Sequence, residues 1–223
     1  LKQVLRARET EFRSARMAMA VAPLGANPIA EGAGSYEFPS FYSLPPFFTL
    51  QPHAVVRAKQ LKLWRQFVCS YCAHHRIFIL DFSDASVVGR ELFCHKALQR
   101  QLSGEGLRAL AEYLTTEGAA VRLDAGSGAA GAPREGSQRL LVLWRSAAEW
   151  ADLVLRWAEN SGRIGGIETV FALAEGDDTE GETFHGAPHE LIMVALEELV
   201  RRGRATIFRG QQTASQGVKF LPP

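Results

Sequence analysis

Hydrophobic residues recur with a helical period in the first long patterned stretch of the chain. Between Ala54 and His75, Leu61, Trp64, Val68 and Tyr71 fall on one helical face, and charged residues occupy the others. This stretch predicts an amphipathic helix. The elements predicted after it are a strand at Ile77–Phe82, a helix from Ser86 to about Gln101, a helix from Ser103 to Gly118, and strands at Ala119–Leu123 and Arg139–Trp144 around a flexible Gly/Ala/Ser-rich loop at 124–137.

A similar order of elements recurs in the second half. Ser146 and Glu149 have capping-box spacing at the start of a helix that ends near Gly162. Because each half places a helix before a two-stranded wing, we predict an α+β, mainly helical fold of two tandem winged-helix domains. The later elements are a strand or strand-to-helix segment at Ile167–Leu173, a solvated, mobile acidic loop, a helix at Pro188–Arg202 and a hairpin of Arg204–Arg209 with Val218–Leu221.

The first 35 residues lack such a pattern. They are basic and become rich in Ala, Gly and Pro, which favours a flexible extension over the alternative, a transit peptide or a weak signal peptide. No apolar run reaches the length of a transmembrane helix. The basic residues are Lys2, Arg6, Arg8, Arg13 and Arg16. We predict three parts: the extension at 1–35, a docking segment with the first domain at 36–145, and the second domain at 146–223.

Composition and charge narrow the functional classes. The chain has 25 basic and 24 acidic residues, so no overall positive field would attract a polyanion. With 47% hydrophobic and 22% charged residues, it has the composition of a globular protein rather than a disordered or fibrous one. Three cysteines cannot form a disulfide framework, which favours a reducing, cytosolic compartment.

An aromatic and proline-rich segment, Tyr36–Pro52, precedes the first helix. Its four prolines exclude a helix or a central strand and predict an extended, polyproline-like conformation. Rings on such a peptide favour docking into a groove of a partner; the alternative is that they fold back on the chain's own first domain. The candidate partner-binding residues are Phe38, Pro39, Phe41, Tyr42, Pro45, Pro46, Phe47 and Phe48.

A DNA-binding transcriptional regulator is the main alternative function, because winged helices often place the helix before the hairpin in a major groove. Charge argues against nucleic acid, since acidic side chains on these helices would repel phosphates. The acidic residues are Glu105, Glu112 and Glu117 in the first such helix, and Glu190, Glu197 and Glu198 in the second.

Two cysteine and histidine patterns suggest metal or thiol chemistry. Cys69 and Cys72 form a CxxC inside the first predicted helix, and His185 and His189 form a distant HxxxH. With no second CxxC, buried structural thiols are favoured over zinc. The acidic run at 177–182 lacks the ligand alternation of a calcium loop. No nucleophile, phosphate-binding or zinc-protease motif is present, so we predict a non-enzymatic protein without cofactor or metal.

The run Tyr42–Pro52, which reads Tyr-Ser-Leu-Pro-Pro-Phe-Phe-Thr-Leu-Gln-Pro, resembles the start of the vacuolar protein-sorting-associated protein 25 family, the small subunits of the endosomal sorting complex ESCRT-II. The extension at 1–35 and the insertion at 124–137 depart from that family. The likeness continues to the C-terminus through Lys59-Gln60-Leu61 with Trp64, Leu98-Gln99-Arg100, Trp144-Arg145, Glu149-Trp150, Gly176–Glu180, Phe184-His185-Gly186 and Gly217–Phe220.

This resemblance implies a non-enzymatic scaffold of two tandem winged-helix domains. Two copies would bind the two larger ESCRT-II subunits through proline-aromatic motifs, and the second domain would bind an ESCRT-III subunit during sorting of ubiquitinated cargo into multivesicular bodies. Pro45-Pro46-Phe47-Phe48 matches the family's docking motif, whereas Phe38–Tyr42 keeps one proline where the family often has two. The chain is then expected in the cytoplasm, recruited peripherally to endosomal membranes and contacting them only through the complex.

Overall fold

A computed structural model describes residues 35–82, 92–123, 138–208, 210 and 212–223. The predicted loop at 124–137, all but the last residue of the predicted extension, and the start of the helix predicted from Ser86 lie outside these residues.

The first half follows the predicted order of elements except at one place. Ser103 caps its helix by accepting a hydrogen bond from the Gly106 amide at 3.2 Å, and Gly118 ends that region with a φ of 65°. The elements are α1 (Ala54–His74), β1 (Ile79–Asp81), β2 (Cys94–His95), β3 (Arg100–Gln101), α2 (Gly104–Thr116), β4 (Ala120–Arg122) and β5 (Arg139–Val142).

The exception is the helix predicted from Ser86 to about Gln101. This prediction is wrong for Cys94–Gln101. Cys94 pairs with Gln101 and His95 pairs with Arg100 in an antiparallel hairpin. Gln99 turns the chain with a φ of 51°, a left-handed conformation that a continuing helix excludes. The hairpin places the His95 ring 5.0 Å from the Tyr42 ring, so a contact distant in sequence decides the local structure.

The second half confirms the predicted helix starts and stops. Ser146 and Glu149 form the capping box, and Gly162 and Gly203 follow their helices with φ near 70°. The acidic stretch differs from the predicted mobile loop: Thr179 is fully buried, and the Trp157 indole donates to the Asp178 carbonyl at 3.0 Å. The elements are α3 (Ala147–Asn160), β6 (Ile167–Thr169), α4 (Val170–Glu175), α5 (His189–Arg201), β7 (Ala205–Phe208) and β8 (Gly217–Phe220).

Both halves build a three-stranded antiparallel sheet of the same topology. The strand orders are β1-β5-β4 and β6-β8-β7, so in each sheet the last strand lies in the middle and pairs with both earlier ones. A helix-rich layer covers the sheet, and the final two strands form the wing. This mixed helical and sheet architecture is the predicted fold class.

The described residues contain two hydrophobic cores that share strand β5. Leu140 and Val142 point into the first core, and Leu141 and Leu143 point into the second. Because adjacent side chains on a strand point to opposite faces, β5 is buried on both sides. The cores therefore do not separate at one residue, and the boundary between 145 and 146 stays a prediction.

Candidate functional site

The proline-aromatic segment, Tyr36–Pro52, is not extended as predicted but forms two 3₁₀ turns at Ser40–Ser43 and Pro45–Phe48. The Leu44 carbonyl accepts a hydrogen bond from the Phe47 amide at 2.9 Å, and the Pro46 carbonyl accepts one from the Thr49 amide at 3.2 Å. Prolines fit the first positions of such a turn, because the amide hydrogen that proline lacks has no partner there.

Three of the candidate rings lie in the chain's own first core. Tyr42, Phe47 and Phe48 are buried, as the fold-back alternative requires. The Phe47 ring stacks on Trp64 of α1 with centroids 4.2 Å apart and planes 13° apart. Tyr42 packs 4.9 Å from Phe67 of the same helix, and burial raises the pKa of Tyr42 to about 12.

The outer face of the segment, the side in contact with solvent, carries apolar side chains together with the polar Glu37, Ser40 and Ser43. Phe38 is 44% exposed and Leu44 is 39% exposed, and Pro45 beside it is also exposed. Pro39, Phe41 and Pro46 are half-buried between this face and the core. Leu44 was not among the candidate residues; its position directly before the two prolines was the only sequence signal for it.

The start of the segment is attached to the C-terminal end of α1. The Tyr36 hydroxyl shares a hydrogen bond of 2.9 Å with the Ser70 hydroxyl, and its ring lies 5.1 Å from Tyr71 and 5.4 Å from His74. Phe38 packs against the Tyr42 ring at 4.8 Å. The segment therefore lies along α1 from its last turn to its first.

Sequence reasoning missed the polar side chain that holds this segment. Gln60 of α1 is 3% exposed, whereas Leu61, predicted on the buried face, is only half-buried. The Gln60 carboxamide contacts the backbone of the second turn, and the Trp64 indole donates to the Phe47 carbonyl at 3.1 Å. A signal existed, because Gln60 lies one helical turn before Trp64 on an otherwise apolar stripe.

The cysteine and histidine patterns do not meet in one site. Burial raises the pKa of Cys69 to about 11 and also raises that of Cys72, so neither thiol is poised as a thiolate. His185 shares a hydrogen bond of 2.9 Å with Thr179, and His189 lies 3.1 Å from a Glu175 oxygen. Among residues 35–82, 92–123, 138–208, 210 and 212–223, no three His, Cys, Asp or Glu side chains gather as metal ligands would.

The helices that would enter DNA show acidic surfaces. Glu105 and Glu112 are exposed on α2, as is Glu197 on α5. Glu198 is held by Arg201 and Arg202, whose hydrogen bonds lower the pKa of its carboxyl group to about 2. These two arginines are thereby engaged in the chain's own ion pairs, which leaves little positive charge on α5 for phosphates.

The second half of the chain also exposes apolar side chains. Ile167 and Phe208 flank Gly217 on the open face of the second sheet, and Phe171 is exposed on α4. The acidic turn Asp177–Thr179 follows α4, and Arg163 forms ion pairs with Asp178 and Glu168. In the part of the chain that the structure describes, no helix is long and apolar enough to cross a membrane.

A family model and individual proteins from other organisms match this chain. The family model described as ESCRT-II complex subunit matches residues 41–188. Vacuolar protein-sorting-associated protein 25 of Danio rerio is 36% identical over 187 residues, which cover 84% of this chain and 99% of the relative. The protein of that name from Arabidopsis thaliana is 30% identical over 185 residues, or 83% of this chain and 96% of the relative.

Solved structures of the same complex also match this chain. The crystal structure of subunit VPS25 of the endosomal trafficking complex ESCRT-II matches with a TM-score of 0.69 at 29% identity, over 82% of this chain and 98% of that one. A chain in the crystal structure of the endosomal complex ESCRT-II (VPS22/VPS25/VPS36) matches with a TM-score of 0.67 at 29% identity, over 80% and 96% of the two chains.

Proposed function

The chain belongs to the ESCRT-II complex subunit family, and from this membership we propose that it is a non-enzymatic scaffold that joins the two larger ESCRT-II subunits to an ESCRT-III subunit. It acts in the cytoplasm, at endosomes, in the sorting of ubiquitinated cargo into multivesicular bodies. Two copies of the chain enter each complex, each through its proline-aromatic segment. The larger subunits correspond to the VPS22 and VPS36 named with the solved complex.

One observation carries the docking part of this proposal: the segment is folded, yet it leaves apolar side chains exposed on its outer face. Phe38, Leu44 and Pro45 are exposed although the core beneath them is well packed. Exposed rings and prolines beside one another are costly in a monomer unless a partner covers them. We propose that this outer face, with Pro39, Phe41 and Pro46 at its edge, enters the groove of a larger subunit.

The buried candidate residues have a different role in this proposal. Tyr42, Phe47 and Phe48 fasten the segment to the first core instead of contacting the partner. A preformed segment loses less conformational entropy when it binds than a free peptide does. Their substitution therefore weakens docking indirectly, through the shape of the segment.

We propose that ESCRT-III binds the second domain near α5, the acidic turn and the wing formed by β7 and β8. Support comes from Phe208, which is exposed on β7, and from Phe171, which is exposed on α4 one turn before Glu175 and the acidic turn. Such a surface fits a partner helix that is apolar with basic flanks. Chemical crosslinking of the purified proteins, read by mass spectrometry, should map the contact to these elements rather than to α1.

Co-purification tests the docking proposal. The chain is expressed with the two larger subunits, and Phe38→Ser and Leu44→Ser are compared with Phe208→Ser, a matched exposed apolar residue in the second domain. The two outer-face variants should each lose most of the larger subunits, because each removes apolar area that the groove would bury. Phe208→Ser should recover them as the native chain does.

Equal recovery by all three variants would contradict the outer face as the docking surface. Phe48→Ala provides a further comparison, since it opens the first core without changing the outer face. It should lower thermal stability by far more than either outer-face change. Duplex DNA at low salt tests the alternative: binding that falls steeply as salt rises would favour a DNA-binding regulator.

A further inference from the structure

Gln60 is one of only two buried polar side chains that the described residues contain, and its contacts are concentrated on the docking motif. Its Nε2 donates to the Phe47 carbonyl at 2.9 Å and to the Thr49 carbonyl at 2.8 Å, and it lies 3.3 Å from the Pro46 carbonyl. Its Oε1 accepts the Gln51 amide at 3.1 Å. One carboxamide from a helix thus meets four backbone groups of one short turn.

The carbonyls have other donors as well: the Trp64 indole donates to the Phe47 carbonyl at 3.1 Å, and the Thr49 amide donates to the Pro46 carbonyl at 3.2 Å. The prolines at 45 and 46 donate nothing, and the ring stack of Phe47 on Trp64 excludes water from the inner side of the turn. The Gln51 side chain closes the outer side, because its Nε2 donates to the Thr49 carbonyl at 2.8 Å and to the Pro46 carbonyl at 3.1 Å. Loss of Gln60 would take the acceptor from the Gln51 amide and one donor from each carbonyl, and this loss would favour another backbone conformation here.

From these contacts we propose that Gln60 is the positioning residue of the docking motif: its carboxamide holds the Pro45–Phe48 turn in the shape that presents Leu44 and Pro45 to the partner. The inference rests on the docking function proposed above. Gln60 itself is buried and does not contact the partner. Its contribution is to order the turn before binding, so that the association does not have to supply that ordering.

The test compares two buried polar residues. Gln60→Met keeps the length of the side chain but removes the donors and the acceptor. Thr179→Val removes the hydroxyl of the other buried polar residue among those that the structure describes, which lies 2.8 Å from the Gly176 carbonyl in the second half. Affinity for the purified larger subunits is measured by calorimetry. Gln60→Met should bind about tenfold more weakly or worse, the equivalent of one buried hydrogen bond, and Thr179→Val should bind as the native chain does.

A second readout needs no partner. Amide hydrogen exchange at Gln51 and the NMR shift of the Trp64 indole proton report whether the turn is held, and both should change in Gln60→Met but not in Thr179→Val. Should Gln60→Met fail to fold, Gln51→Ala takes its place, because Gln51 is half-buried and its side chain closes the same turn. It should loosen the turn and weaken binding by a smaller factor.

The proposal would be overturned by a turn that stays protected in these variants, or by a turn that loosens while affinity is unchanged. Weakened binding by Thr179→Val to the same extent would also overturn it, because the effect would then be one of general stability. If the native chain does not bind the larger subunits, the proposed docking function is wrong, and so is the role of Gln60 in docking. The exchange data would still report whether Gln60 holds the turn.

Discussion

The two sheets of this protein share one topology but differ in what covers them. The junction sheet, β1, β4 and β5, has one core on each face through the alternating residues of β5. The second sheet, β6, β7 and β8, buries Val218 and Phe220 on one face, while Gly217 and Lys219 face outward. The sequence already indicates this difference, because β5 is a continuous apolar run whereas apolar and other residues alternate in β8.

This comparison shows how the molecule combines rigidity with binding surface. Because the junction sheet is shared, the two halves cannot separate without exposing the apolar face of β5 that Leu141 and Leu143 present to the second core. The open face of the second sheet carries no such constraint. Ile167 and Phe208 are accordingly exposed there without harm to the core.

The largest expected effect comes from opening the shared strand. Leu141→Ala should lower the free energy of unfolding by about 2–5 kcal/mol, because the side chain is fully buried in the second core although its strand belongs to the first sheet. Ile167→Ala, at a site 65% exposed on the second sheet, should change it by less than about 0.5 kcal/mol. Urea unfolding measures both, and equal losses would contradict the difference between the sheets.

A smaller effect is expected where the halves meet at the end of α1. Arg76 donates to the His185 carbonyl at 2.7 Å and has a φ of 51°, which is unfavourable for a residue with a Cβ. Arg76→Ala should cost about 1 kcal/mol, since it removes the hydrogen bond and keeps the backbone strain. Arg76→Gly removes both the hydrogen bond and the backbone strain, so it should unfold at a higher temperature than Arg76→Ala. The reverse order would show that this backbone conformation carries no strain.

Acid should act on the two capped helices differently. Hydrogen bonds from Ser146 lower the pKa of the Glu149 carboxyl group, so this contribution to stability is present above the unfolded-state pKa and is lost as the pH falls through the folded-state value. Ser103 caps α2, where Gly106 occupies the position that corresponds to Glu149, so no carboxylate lies at that position. Ser146→Ala should therefore cost about 1 kcal/mol at pH 7 and less at pH 3.

The matched change at the other cap, Ser103→Ala, should cost a similar amount that stays constant with pH. Chemical unfolding at both pH values separates the two cases. A pH-independent cost for Ser146→Ala would contradict the role of the Glu149 carboxylate in the capping box.

The smallest expected effect is a gain. A Cβ at Gly217 would lie 3.6 Å from Ile167 and 3.7 Å from Phe208, which is ordinary van der Waals distance on the open face. Gly217→Ala should therefore stabilise the protein by about 0.4–1 kcal/mol, mainly by restricting the unfolded chain. Differential scanning calorimetry would detect the rise in Tm; a fall would show that the second sheet has less space than its exposure indicates.

The helices and their ends were predictable because their signals are local. The capping box of Ser146 with Glu149, the Ser103 cap and the glycines at 118, 162 and 203 act within one turn of the chain. The hairpin at Cys94–Gln101 was not predictable in this way. Its residues have no strong preference of their own, and they pair because His95 covers the rings of Tyr42 and Phe48.

For the candidate site, sequence alone determined which segment to consider but not which way its residues face. The composition of Tyr36–Pro52 identified a segment that must bury rings, and its motif identified the family. Tertiary structure decided that Phe47 and Phe48 enter the first core, that Leu44 and Pro45 stay outside, and that Gln60 holds the turn between them. The physical reason is distance along the chain: local hydrogen bonds act within about four residues, whereas Gln60 and Trp64 are 13 and 17 residues from Phe47.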